Sequence, residues 1–246
     1  MASVSVNSYS ESEKLLLAAQ TGSIQRVKAA LKAGADIEFE LHKSETIGTG
    51  TALYIALRDG HLDIMRLLLR KGASFMKRLP GGYTLLHLAA HKGKTEAAEL
   101  LVQHGATLDV LDSCQNTPLM AAAYSNNIDT VRRLIELGAR PDLTDGGMAQ
   151  RLGIDGSTKK HVYTRPMSTC IRLIHEARRS KLLRCCNPKC GKPGYRKKLK
   201  LCAGCKLTRY CSRDCQKQHW SVGHKKCCGH DACPAVGLEA ISLPCP

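Results

Sequence analysis

Thr84-Leu85-Leu86-His87-Leu88-Ala89-Ala90-His91-Lys92-Gly93, followed by Glu96-Ala97-Ala98-Glu99-Leu100-Leu101-Val102-Gln103-His104-Gly105-Ala106, decides how the first half of the chain folds. A threonine suited to N-capping opens a short apolar run, a glycine ends it, a second helical run follows and a Gly-Ala pair closes the unit. The closing pair recurs at Gly34-Ala35, Gly72-Ala73, Gly105-Ala106 and Gly138-Ala139, at intervals of 38, 33 and 33 residues. Self-similarity at such a period marks a repeat array. Twelve residues before each of these glycines stand Gly22, Gly60, Gly93 and Asn126, and glycine and asparagine are the residues that most readily take the left-handed turn at a helix end. Leu53, Ala56 and Leu57 before the turn, then Ile64, Leu67 and Leu68 after it, have helical spacing, so each unit is predicted to be a helical hairpin. Thr51, Thr84 and Thr117 are the expected N-caps, and the alanines at 18–19, 89–90 and 121–123 are small enough for close helix contact. A lone hairpin cannot bury its apolar face, whereas stacked hairpins form a solenoid.

These residues resemble the ankyrin repeat, through Thr84-Leu85-Leu86-His87-Leu88-Ala89-Ala90, Thr117-Pro118-Leu119-Met120-Ala121-Ala122-Ala123, and Gly60-His61 followed by Ile64 and Gly72-Ala73. The resemblance covers residues 10–145 as four units. It implies that His87 bonds backbone between repeats, and that partners meet the concave side at Gln20, Thr21, Arg58, Asp59, His91, Lys92, Tyr124 and Ser125. The first unit lacks the Thr-Pro-Leu-His opening, and the longer first interval predicts a bulging loop around Leu41 to Thr49. Beyond Asp145 the pattern decays into a connector, and a helix over Ser168 to Arg179, carrying Ile171, Leu173 and Ile174, is read as a degenerate cap.

Composition changes abruptly after this. Of thirteen cysteines only Cys114 and Cys170 precede Cys185. No segment has the ~18 consecutive apolar residues of a membrane span, and residues 1–14 lack the basic and apolar regions of a secretory signal. The chain is therefore read as intracellular, in the cytoplasm or the nucleus, and clustered cysteines in a reducing compartment point to metal rather than disulfides. Aromatics are only 4% of the 246 residues and the formal net charge is +16, so alanine, leucine and glycine must supply the packing.

From Cys186 the ligand-type residues run as four pairs: Cys186-x3-Cys190, Cys202-x2-Cys205, Cys211-x3-Cys215 and His224-x3-Cys228. Eight thiol and imidazole donors suit two tetrahedral zinc ions. Cys185 adjoins Cys186 and Cys227 adjoins Cys228, so either neighbour is an alternative ligand, with Cys186 and Cys228 preferred. The stretch resembles a MYND-type zinc finger, through Cys202-Ala203-Gly204-Cys205, Arg209-Tyr210-Cys211-Ser212, Cys215-Gln216, Trp220 and His224-Lys225. The resemblance implies interleaved ligation, with Cys186, Cys190, Cys211 and Cys215 on one zinc and Cys202, Cys205, His224 and Cys228 on the other. Relative to the family, residues 187–189 lengthen the first pair and Gly223 adds one residue between Trp220 and His224. All positions being filled, both metals are assigned a structural role; a catalytic zinc keeps one position open. Metal removal is expected to unfold this half and leave the repeats standing.

The same resemblance implies recognition of proline-rich peptides of a Pro-x-Leu-x-Pro kind by Gln216 and Trp220, four apart on one helix face, with Thr208 and Arg209 offering a strand edge. The competing reading of Trp220 is a core residue in a domain short of apolar mass. Lys181 to Cys228 holds fourteen Lys and Arg against one acid, Asp214, and is densest at Arg196 to Lys200. That charge makes nucleic acid the alternative partner, against which stand the absence of a C2H2 finger or recognition helix and the few aromatics for stacking. MYND modules also occur beside SET methyltransferase domains, but the residues around this finger leave no room for one, and no P-loop, G-x-S-x-G or H-E-x-x-H motif is present. The sequence thus predicts a mainly α chain: a disordered segment 1–9, an ankyrin-repeat helical solenoid at 10–145, linker and capping helix at 146–182, the finger at 183–228 and a disordered tail at 229–246. Its predicted role is a monomeric, non-catalytic adaptor that binds other proteins.

Overall fold

The computed structural model describes residues 9–41, 50–143, 147–152, 169–180, 182–195, 199–203 and 208–228. The loop expected around Leu41 to Thr49, most of the connector before α10, Arg196 to Lys198 of the basic run, Cys205 and the tail fall largely or wholly outside these residues. The chain divides into two compact units, residues 1–75 and 76–246.

The first unit holds two helical hairpins. Helices α1 (Glu11–Gln20) and α2 (Ile24–Lys32) form one, α3 (Ala52–Asp59) and α4 (Leu62–Arg70) the other, with α1 against α3 and α2 against α4. Ser10 and Glu13 form a reciprocal capping box at α1, and the Thr51 hydroxyl accepts the Tyr54 N–H at α3, satisfying donors that a helix start leaves unpaired. Leu15, Leu16, Leu53, Ile55, Leu57, Ile64, Met65 and Leu68 form the buried core. The His61 ring reaches the Gln20 carbonyl at 3.1 Å and lies where a side chain on Gly22 would stand.

The second unit begins with two more hairpins, α5 (Leu85–His91) with α6 (Thr95–Gln103) and α7 (Pro118–Tyr124) with α8 (Ile128–Leu137). Thr84 and Thr117 cap α5 and α7 as the sequence predicts. Gly22, Gly60, Gly93 and Asn126 all have positive φ, Asn126 at 57°. His87 is fully buried: its Nδ1 accepts the Thr84 N–H at 3.2 Å, which leaves Nε2 to donate to the Asn116 carbonyl of the next repeat at 3.0 Å. Burial pushes His87 down to about 4, although the bond to Asn116 works against it.

The region read as connector and cap contains more order than expected. Helix α9 (Gly147–Leu152) packs against α7, and α10 (Thr169–Ser180) packs against α8 through Cys170, Ile171 and Ile174. First helix on first helix and second on second is the repeat's own packing rule, so α9 and α10 occupy the places of a fifth hairpin. Met148 N–H donating to Asn116 Oδ1 at 2.7 Å starts α9 where no periodic apolar pattern announces it.

The finger follows as two short antiparallel ribbons and a helix. β1 (Leu182–Arg184) pairs with β2 (Pro193–Tyr195), and β3 (Lys200–Leu201) pairs with β4 (Arg209–Tyr210). Helix α11 (Arg213–His219) runs through a π turn at Trp220–His224 into the single turn α12 (Lys225–Cys227).

Two outcomes follow from the caps and from His87. Thr117→Ala is expected to lower unfolding stability by about 1 kcal/mol, read from urea denaturation. Because the folded state holds His87 neutral while the unfolded ring titrates near ~6.5, the unfolded chain binds more protons as pH falls from about 6.5 to about 4, and stability falls with it. The loss over that window should be smaller in His87→Asn than in the native chain.

Candidate metal centre and partner surfaces

The ligand-type residues of the finger gather into two clusters. Cys185, Cys190, Cys211 and Cys215 form one, and Cys202, His224 and Cys228 the other, the donor atoms of each lying within 4.8 Å of one another. Cys205, expected in the second, lies outside the described residues. Two ribbons and one helix position them. The Asn187 carbonyl accepts the Cys190 and Gly191 N–H groups, folding 187–189 into a turn that returns Cys190 towards Cys211. At α11 the Ser212 hydroxyl caps Cys215 N–H at 3.2 Å, placing Cys215 in the helix's first turn. The bond from Cys228 N–H to the His224 carbonyl sets the last two donors one helical turn apart.

The first cluster takes Cys185, not the Cys186 preferred from spacing. Cys186 pairs with β4 instead: its N–H donates to the Arg209 carbonyl at 2.8 Å and its sulfur accepts the Arg209 N–H at 3.3 Å. Adjacent residues of extended chain face opposite ways, so once Cys186 turns to Arg209 its neighbour turns to the thiols. Cys228 joins Cys202 and His224 in the second cluster.

The donor sets suit zinc. Sulfur separations of 3.5 Å for Cys211–Cys215 and 3.6 Å for Cys190–Cys211 and Cys202–Cys228 are far beyond a disulfide bond, which is about 2.05 Å. They lie close to the edge of about 3.8 Å for a tetrahedron with Zn–S near 2.3 Å. Burial pushes the Cys185 and Cys211 thiols up. At Cys215 burial acts the same way, but hydrogen bonds with Ser212, Cys211, Cys190 and Asn187 outweigh it and bring the thiol to about 7. A cation among the four sulfurs is what would let them stay together as thiolates.

Two supporting residues carried no signal in the ligand spacing. The Tyr210 hydroxyl and His219 Nδ1 share a hydrogen bond at 2.9 Å, and the His219 ring stacks on His224 at 5.1 Å. Burial and the neighbouring His224 hold His219 neutral, down to about 3. Asn187 also donates to Gln218 Oε1 at 2.9 Å, tying the first turn to α11. Both residues look like ordinary polar positions until the fold brings them behind the metal ligands.

Of the residues expected to grip a peptide, Trp220 is 40% exposed, beside Val222 at 38%, and its indole meets the His224 ring edge-on at 5.9 Å. Gln216 is half-buried one turn earlier. Thr208 and Arg209 are buried and do not form an open edge: β4 pairs with β3 on one side and with Cys186 on the other, while Thr208 faces His224 at 3.3 Å. On the repeats, Thr21 and Asp59 are exposed at the ends of α1 and α3, with Arg58 paired to Asp59 and Gln20 half-buried. In the second unit His91, Lys92 and Tyr124 are exposed at the ends of α5 and α7, and Ser125 joins His91 Nδ1 at 2.7 Å.

Comparison with protein families places ankyrin repeats (3 copies) at residues 74–145, an ankyrin repeat at 50–78 and a MYND finger at 185–228. No curated protein matches the chain. No helix among the described residues is long and apolar enough to cross a membrane.

The exchange of Cys186 for Cys185 has a direct readout in zinc content measured by mass spectrometry. Cys185→Ser is expected to lose about one equivalent per chain, and Cys186→Ser to retain the native content.

Proposed function

The chain is an ankyrin-repeat and MYND-finger protein, built of two kinds of protein-interaction module, and we propose that it acts as a non-catalytic adaptor. The exposed Trp220 carries this reading. In a finger so poor in apolar mass, burial would be the ordinary fate of the only tryptophan, yet its ring lies at the surface beside Val222, with the Gln216 amide one turn away. An exposed aromatic face next to an amide suits a proline ring and its carbonyl, so the proposed ligand is a short Pro-x-Leu-x-Pro segment seated on Gln216 and Trp220. The buried Thr208 and Arg209 are not part of that surface.

The helix ends carrying Gln20, Thr21, Arg58 and Asp59 in one unit, and His91, Lys92, Tyr124 and Ser125 in the other, are the proposed contacts for a second protein. Joining two such surfaces on one monomeric chain raises the effective concentration of a bivalent partner or bridges two separate ones. Two zinc ions, one per cluster, would supply folding free energy, of order 10–16 kcal/mol per site in zinc-finger peptides, and no reacting position. The proposed residence is the cytoplasm or the nucleus.

The exposed cations Lys189, Lys192, Lys200, Arg213, Lys217, Lys225 and Lys226 favour nucleic acid as the second reading, since such charge neutralises phosphates with release of counterions. Titration separates the two. A Pro-x-Leu-x-Pro peptide should shift Trp220 fluorescence, and Trp220→Ala should weaken its binding about tenfold or more. Binding of duplex DNA or RNA that outcompetes the peptide, and falls steeply with salt, would favour the second reading.

A further inference from the structure

Four turns in this chain are built alike. Gly34, Gly72, Gly105 and Gly138 each follow the second helix of a repeat, with φ of 91°, 94°, 101° and 109°. Their surroundings differ. A Cβ built on Gly34 or Gly72 meets nothing within 4 Å, whereas one on Gly105 would stand 2.5 Å from the carbonyl carbon of Gly223, 2.6 Å from its Cα and 2.6 Å from the His224 nitrogen. One on Gly138 would stand 3.3 Å from both the Cβ and the carbonyl oxygen of Arg184. Seen from the other side, Gly223 is buried, and a Cβ there would run into the His104 carbonyl oxygen. Gly223 is the residue that lengthens the finger between Trp220 and His224. Close approach of the two backbones is what calls for glycine at this place.

Both approaches lie next to metal ligands. Gly223 precedes His224 of one cluster, and Arg184 precedes Cys185 of the other. Between them, Asp109 is 1% exposed at the base of the turn between the third and fourth repeats. Its Oδ1 accepts the Arg140 N–H at 2.7 Å, while Oδ2 has no hydrogen-bond partner among the described residues. Burial pushes the Asp109 carboxyl up to about 7, against the pull of Arg140 and of Arg209 from the finger. A buried acid with the guanidinium of another module close by is the pattern of a sealed interface, because isolated burial of either group is costly.

We infer that the turns closing the third and fourth repeats, with Asp109 between them, are an interaction surface whose partner is the finger of the same chain. Metal-dependent folding of the finger then supports α6 and α8, contrary to the independence of the two halves read from the sequence. A metal bound to the finger shapes the loop at Gly223 and the strand end at Arg184, and those two segments press on the repeats. Helices α9 and α10 cover the two helices of the fourth repeat, and the finger covers its closing turn and that of the third. The exposed peptide surface at Trp220 is thereby fixed relative to Tyr124 and its neighbours.

Amide hydrogen exchange on the full chain, with zinc and after chelation, tests this. In the native sequence, chelation is expected to speed exchange in α6 and α8 by about tenfold or more while α2 and α4 are unchanged. Gly223→Ala, with zinc content confirmed as native, is expected to show fast exchange in α6 and α8 already and no further response to chelation. Gly72→Ala shares the positive-φ strain of Gly105→Ala without the contact, so only Gly105→Ala should abolish the response. Should Gly223→Ala fail to hold zinc, Asp109→Ala leaves the finger sequence intact and must give the same loss of response. Exchange in α6 and α8 that is indifferent to chelation in the native chain, or a full response retained in Gly223→Ala or Asp109→Ala, overturns the inference.

Discussion

Convergence of Cys185, Cys190, Cys211 and Cys215 on one point, and of Cys202, His224 and Cys228 on another, is the constraint from which the C-terminal region takes its form. Among its described residues the buried core is little more than Cys185, Cys186, Cys202 and Tyr210. Ribbons of two or three residue pairs and a helix of seven residues do not hold themselves together in water. Bringing donors from four segments to two centres, two segments to each, braces distant parts of the chain and leaves side chains such as Trp220 free to stay at the surface. In the proposed reading stability and recognition are thereby separated: sulfur and imidazole hold the fold, and the scarce aromatic is left for a ligand.

The repeats follow a different logic. The first helix of each repeat starts on a nearby hydroxyl, from Ser10, Thr51, Thr84 or Thr117, each helix ends at a left-handed residue, and within each unit the apolar faces meet those of the neighbouring hairpin. His87 joins the two scales, since the same ring receives the Thr84 N–H at its own helix start and reaches the Asn116 carbonyl of the next repeat. Within the second unit α9 and α10 extend this scheme, α9 on α7 and α10 on α8, with Cys170, Ile171 and Ile174 of α10 buried. Helix α9 begins with a bond to the Asn116 side chain, so one asparagine serves both His87 and α9.

Charge is arranged by depth in the finger. The exposed lysines and arginines stay solvated, while Arg209 is withdrawn to lie near Asp109. A strand end that would otherwise offer peptide hydrogen bonds is thus closed by chain contacts on both edges. The proposed peptide surface therefore rests on the helix and the π turn, where the Gln216 and Trp220 side chains lie one turn apart.

Most of the repeat architecture was legible in the sequence: the threonine caps and the Asn126 turn are matters of residues within about four positions of one another, so local rules suffice for them, and the 33-residue period only repeats them. The ligand types and their pair spacings were legible for the same reason, whereas their interleaved order was implied only by the resemblance to a MYND-type finger. Tertiary structure alone decided that Cys185 rather than Cys186 joins the thiols, that Thr208 and Arg209 are buried, that residues 147–152 form a helix, and that Gly105 and Gly138 are covered where Gly34 and Gly72 are open. Each of these depends on a partner far along the chain, as Cys186 depends on Arg209. Which face a side chain turns to is set by what it meets there, and one residue's shift in extended chain reverses it.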